Sequence, residues 1–163
     1  MGMRAAYTLV DERTLDLLVS SAPEVRVMTL EDLASSGAPT VHLGTMWDGL
    51  HYLLTGTSAA APRDDDPLSE SVVGVHVFDG DDFVGCTEND ELPAIIEALD
   101  AVDRDALLRG ADFTDFAEAG ISPNIWEGEP SVLRAGLADA LDALAAVHRR
   151  AADAGHHLVI SIR

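Results

Sequence analysis

The 163-residue chain is predicted to be a single α/β (or α+β) domain: a small mixed sheet of about four strands with helices packed over it. Three observations predict this. Apolar residues recur at spacings of three and four through Leu133, Leu137, Leu141, Leu144, Val147 and Ala151, the stripe of one long helix. The first and last segments, Met3–Val10 and His157–Ile162, are rich in strand formers. The last has apolar residues on both faces, as expected for a strand inside a sheet.

The elements follow in order. After the first strand, Asp11 caps a helix from Glu12 to about Ser20, with Leu15, Leu18 and Val19 on its buried side. Pro23 is expected to break it, and Thr29–Ser36 reads as a second short helix closed by Gly37 and Pro39. Thr45 opens a third helix that ends at Gly56. Asp66-Pro67 starts a fourth, with the cap followed by proline at the first helical position. Val72–Phe78 and Phe83–Thr87 read as strands joined by the turn Asp79-Gly80-Asp81-Asp82. Helices follow over Glu91–Ala101, after Asp103, and over Thr114–Ala119. The long helix runs from Pro130 to Ala154 and stops at Gly155.

Composition excludes several classes of function. The net charge is −19, and every basic side chain other than histidine is arginine. Without lysine there is no Schiff-base chemistry, no phosphate-loop lysine and no lysine base. Nucleic acid and anionic membranes are unfavourable partners, because both are bound by neutralising phosphates with basic side chains. Cys86 stands alone, so neither an internal disulfide nor a cysteine metal cluster forms. The first residues lack the apolar core of a signal peptide and no apolar run reaches a membrane span, so a cytoplasmic protein is expected. No cofactor motif is present, and no metal site is expected. Asp64, Asp65 and Asp66 lack the spaced ligands of a calcium loop.

The stretch Thr45–Ser58 holds the candidate site. With about 100° per residue, Trp47, Leu50, Leu53 and Leu54 share one face of its helix. Asp48, His51, Tyr52 and Thr55 share the other, a polar face without lysine, arginine or glutamate. A purely structural account covers part of it. Thr45 and Asp48 match a capping box, Gly56 is a left-handed C-terminal residue, and a lone histidine can be a satisfied core group. Thr55-Gly56-Thr57-Ser58 follows a helix rather than preceding one, so it meets the negative end of the dipole and is no anion site.

The functional account makes Trp47, His51, Tyr52, Thr55, Ser58 and Trp126 the lining of a cleft for a small molecule or peptide. An alternative is a hydrolase with His51 as general base, Asp48 orienting it, and Ser58 or Ser69 as nucleophile. A third is an acidic inhibitor or immunity-type protein that caps a basic partner.

Five blocks resemble the YfbM-like family of small bacterial proteins of uncharacterised function. They are Met1-Gly2-Met3; the run Trp47-Asp48-x-Leu50-His51-x-x-Leu54-Thr55-Gly56-Thr57-Ser58; Asp66-Pro67-Leu68-Ser69; the Leu92–Leu99 helix with Asp103-x-x-x-Leu107; and Ser122-Pro123-x-x-Trp126. Ser122 departs from the pattern, which tends to carry tyrosine there. The resemblance implies one α/β domain with helices on both sides of a small sheet, and implies no activity.

Overall fold

The computed structural model describes residues 2–163; Met1, the first residue of the opening block, lies outside it. Among the described residues five strands form one sheet, in the order β2-β1-β5-β4-β3. They are β1 (Ala5–Val10), β2 (Thr40–Gly44), β3 (His76–Val77), β4 (Phe83–Thr87) and β5 (His157–Ile162). Every neighbouring pair is antiparallel, which corrects the expected mixed sheet of about four strands. The helices explain the reversal. Two of them separate β1 from β2, α1 (Glu12–Ser20) and α2 (Pro23–Ser35). An even number of helices brings the chain back reversed, whereas a parallel neighbour needs a single crossover.

The central place of β5 matches its two apolar faces. Leu158, Ile160 and Ile162 face the larger core with Ala5, Tyr7 and Leu9 of β1. Over this side lie α3 (Trp47–Thr55), α4 (Pro67–Val73), α5 (Leu92–Ala101), α6 (Arg104–Gly110), α7 (Phe113–Glu118) and α8 (Pro130–Ala154). Val159 faces the other way, into a smaller core with Val10, Val84, Cys86, Leu15, Leu18 and Leu30. That second layer is α1 and α2, and it covers only part of the sheet. None of the described helices is long and apolar enough to cross a membrane.

Several caps form as the sequence predicts. Asp11, Asp66 and Asp103 each accept a backbone N–H in the first turn of the helix that follows. Gly56 and Gly155 end α3 and α8 with positive φ. Pro23 does not break a helix; it occupies the first position of α2, where its missing N–H costs nothing. Val72 and Val73 end α4 instead of opening a strand, so β3 shrinks to His76–Val77. The guanidinium of Arg26, buried, fixes α2 to α1. It donates to the carbonyls of Leu18, Ser21 and Asp79 at 2.9 Å each and lies 4.5 Å over the Phe78 ring.

His148 sits fully buried on α8. Its Nδ1–H donates to the Leu144 carbonyl at 2.7 Å, so Nε2 carries the lone pair, and that atom has no partner among the described residues. Burial lowers its pKa from 6.5 to about 4. The unfolded chain therefore binds the extra proton first as pH falls. The stability held above pH 6.5 declines as the pH drops from there toward 4, by about 3 kcal/mol if the whole shift is expressed. The variant His148→Leu is expected to lose less stability between pH 7 and pH 5 than the wild type, read by urea denaturation at each pH. Parallel losses would contradict this assignment.

Candidate functional site

The helix α3 begins at Trp47, and its capping residue Met46 makes no side-chain bond. The Thr45–Asp48 capping box does not form because the Asp48 carboxylate is engaged elsewhere. It is 3% exposed and accepts from three donors outside its helix. The Ser58 hydroxyl and the Ala59 N–H reach Oδ1 at 2.9 and 2.7 Å, and the Ser122 N–H reaches Oδ2 at 2.9 Å. Two of these are backbone donors from segments far apart in sequence. Ser122 thus contributes its N–H here, whatever side chain it carries.

His51, one turn later, is 0% exposed. One ring nitrogen, Nδ1, lies 2.7 Å from the Thr57 carbonyl, which can only accept, so Nδ1 bears the proton. The other, Nε2, then accepts from the Ser69 hydroxyl at 2.7 Å. That hydroxyl in turn accepts the Arg63 N–H at 2.9 Å. Thr55 Oγ1 donates to the His51 carbonyl at 2.7 Å and receives the Thr57 N–H at 3.2 Å. One polar chain thus runs from Arg63 through Ser69 and His51 to Thr57. Burial lowers the His51 pKa, while the Thr57 bond and the charges of Asp48 and Asp66 oppose the shift.

The remaining predicted residues take structural places as well. Trp47 is buried with its indole N–H on the Met3 carbonyl at 2.8 Å. Trp126 is buried with its N–H on the Ile121 carbonyl at 2.8 Å, and stacks on Phe113 at 5.9 Å and 15°. Gly49 admits that ring, because a Cβ there would collide with it. Tyr52 is half-buried, edge-on to Phe116 at 4.8 Å, and borders a shallow depression with Leu107 and Asp115. On the polar face of α3, where a cleft was expected, the segment 57–69 and the backbone at Ser122 take up the hydrogen bonds of Asp48 and His51, and of the expected lining residues Tyr52 borders the depression. Ser69 and His51 have the spacing of a nucleophile and base, yet both are at 0% exposure. No group of three or more His, Cys, Asp or Glu among the described residues could hold a metal ion.

An open polar surface lies elsewhere, on the part of the sheet that α1 and α2 leave uncovered. It is a groove of about 430 Å³. Its floor is Ala6, Thr8, Thr40, His42 and Ser161, and Leu30 and Ala34 of α2 form an apolar wall. Thr40 donates to the Ala38 carbonyl at 3.0 Å, so Thr8 is the donor in the 3.3 Å contact between their hydroxyls. Arg163 crosses from β5 to Glu31 at 2.8 Å, and its Nε donates to Ser161 at 3.0 Å. The sequence carried a faint signal of this surface: Ala6, Thr8 and Ser161 are small or polar at one parity of otherwise apolar strands.

Removing the Asp48 carboxylate strands two backbone N–H groups. The variant Asp48→Ala is expected to lose about 3 kcal/mol or more in urea denaturation, and its 57–66 loop to become sensitive to protease. A loss below about 0.5 kcal/mol, the scale of an ordinary surface change, would contradict the account.

The comparisons with known proteins bear on the whole chain. Residues 1–161 match the family model described as a domain of unknown function, DUF1877. The chain is 32% identical over 166 residues to protein YfbM of Escherichia coli strain K12, covering 99% of both. The crystal structure of that protein of unknown function superposes with a TM-score of 0.84 at 31% identity, over 99% of this chain and 100% of the other. The five blocks carrying the resemblance thus lie within a likeness that extends from end to end, and the chain belongs to the YfbM-like family of proteins of unknown function.

Proposed function

We propose that the protein is a non-catalytic binding module whose ligand is a small molecule with an anionic head and an apolar body, held in the groove between α2 and the open sheet face. One observation carries this reading: the groove gathers hydrogen-bond donors that the fold leaves unspent. Ser161 receives Arg163 Nε and keeps its own proton to give. Arg163 uses Nε and Nη1 on Ser161 and Glu31, which among the described residues leaves Nη2 for an oxyanion. His42 is exposed beside them. By strand alternation Arg4, whose backbone pairs with that of Arg163, stands on the same face. Two of the chain's ten arginines thus stand together at the groove, with Glu31 paired to one of them. Leu30 and Ala34 supply the apolar side, and a volume of about 430 Å³ suits a small ligand.

The hydrolase reading loses support because its proposed base and nearest nucleophile are both shut inside the protein. The binding reading keeps the protein in the cytoplasm. It also keeps it off nucleic acid and anionic membranes, which a charge of −19 repels.

Thermal-shift and calorimetric titration with straight-chain carboxylates from butanoate to octanoate, with acetate and inorganic phosphate alongside, tests this. Longer carboxylates are expected to stabilise the wild type more than acetate does. Arg163→Gln is expected to weaken binding about tenfold, equivalent to about 1.4 kcal/mol, and Ala34→Phe to abolish it by filling the groove. A better response to phosphate than to any carboxylate would assign the anionic head to phosphate chemistry. No response from any of these probes, or equal binding by all three proteins, would overturn the reading.

A further inference from the structure

We propose that the outer face of α2, around Val25 and Met28, docks a basic amphipathic helix of a partner protein, independently of the groove. The water-facing side of a helix that packs on only one side is ordinarily polar. Here α2 is apolar in both directions: Leu30 is buried against the sheet, while Val25 and Met28, one turn apart, are 50% and 62% exposed. On α1, Leu17 and Val19 are 53% and 56% exposed, but they lie about 200° apart on opposite flanks of the buried Leu15 and Leu18, so at most one of them borders the Val25–Met28 side. Val25 and Met28 thus leave an apolar stripe in water along the outer side of α2. The Arg26 clamp to Leu18 and Ser21 fixes the two helices at their junction, so the face is presented on a defined corner.

The charge around this face selects the occupant. Asp16, Glu24 and Asp32 are exposed on the same two helices. The turn after β3, with Asp79, Asp81 and Asp82 exposed, comes against α2 where Gly80 meets Pro23. Opposing them on the two helices are Arg13 and Arg26, and Arg26 is buried with its donors already used. A second copy of this chain would bring the same acidic rim against itself, with −19 on each partner. A helix with lysine or arginine along one side and leucine-like residues along the other meets both requirements. Its apolar stripe covers Val25 and Met28 while its cations reach the acidic rim. Met28 supplies the flexible, polarisable contact that accommodates such a stripe.

Fluorescence anisotropy at physiological salt tests the proposal with three labelled synthetic peptides: an amphipathic lysine–leucine helix, its scrambled isomer, and a lysine–serine peptide of equal charge. The amphipathic helix is expected to bind at least about tenfold more tightly than either control. The charge-neutral double variant Val25→Ser/Met28→Ser is expected to remove that margin. Val132→Ser, at an equally exposed apolar position on α8, is expected to leave it intact. Circular dichroism verifies that the variants fold. Equal binding of all three peptides, or equal losses in the two variant proteins, would show general charge attraction and overturn the proposal. Concentration-dependent self-association in sedimentation that the double variant abolishes would overturn it in favour of a second copy.

Discussion

A carboxylate withdrawn from water must be met by donors or it destabilises the fold, and Asp48 is met by three. Those donors come from the loop after α3 and from the segment that leads to Trp126. Together with His51, the carboxylate turns the polar side of α3 into the anchor for everything that passes over it. The backbone N–H of Arg63, the hydroxyl of Ser69 and the carbonyl of Thr57 all find their partners through one imidazole. The apolar side of the same helix reaches the main core through Leu50 and Leu54. A helix engaged on both sides fixes the position of α4, which in turn supplies the carbonyl that receives the Tyr7 hydroxyl of the sheet at 2.6 Å.

This arrangement separates rigidity from exposure. On the α3–α8 side the sheet is covered by the larger core, with aromatic packing among Phe113, Phe116 and Trp126. The opposite side carries two helices where a full layer would need more, and leaves the half-buried Thr40 and the exposed His42 and Arg163 at one end. Binding surfaces belong on the incompletely covered side, held in register by a finished core beneath them. Cys86, buried in the smaller core with its thiol pushed up to about 11, contributes packing and not reactivity.

Much of the fold was legible. The strands at both ends of the chain, the aspartate caps and the stripe of α8 follow from local rules and form as those rules require. The edge strand β2 escaped because Thr-Val-His-Leu-Gly has only two apolar residues and gains its place by pairing with β1. What meets the polar face of α3 was not legible, for one physical reason. Periodicity marks which side of a helix is polar, but not whether water or the protein's own loop meets it. His51 and Asp48 looked like a site because they lack long charged neighbours. They lack them because the segment 57–69 and Ser122 take up their hydrogen bonds. The groove was nearly invisible, since its polar floor comes from strands distant in sequence.

The central claim is that the polar face of α3 is internal, with His51 neutral and its Nδ1 proton committed to Thr57. Long-range proton–nitrogen NMR of the histidine rings, followed through a pH titration, reads this directly. The account predicts a neutral Nδ1–H tautomer for His51 that persists below the ordinary histidine pKa of about 6.5. Titration of His51 at or above that value, or the Nε2–H tautomer at neutral pH, would contradict it.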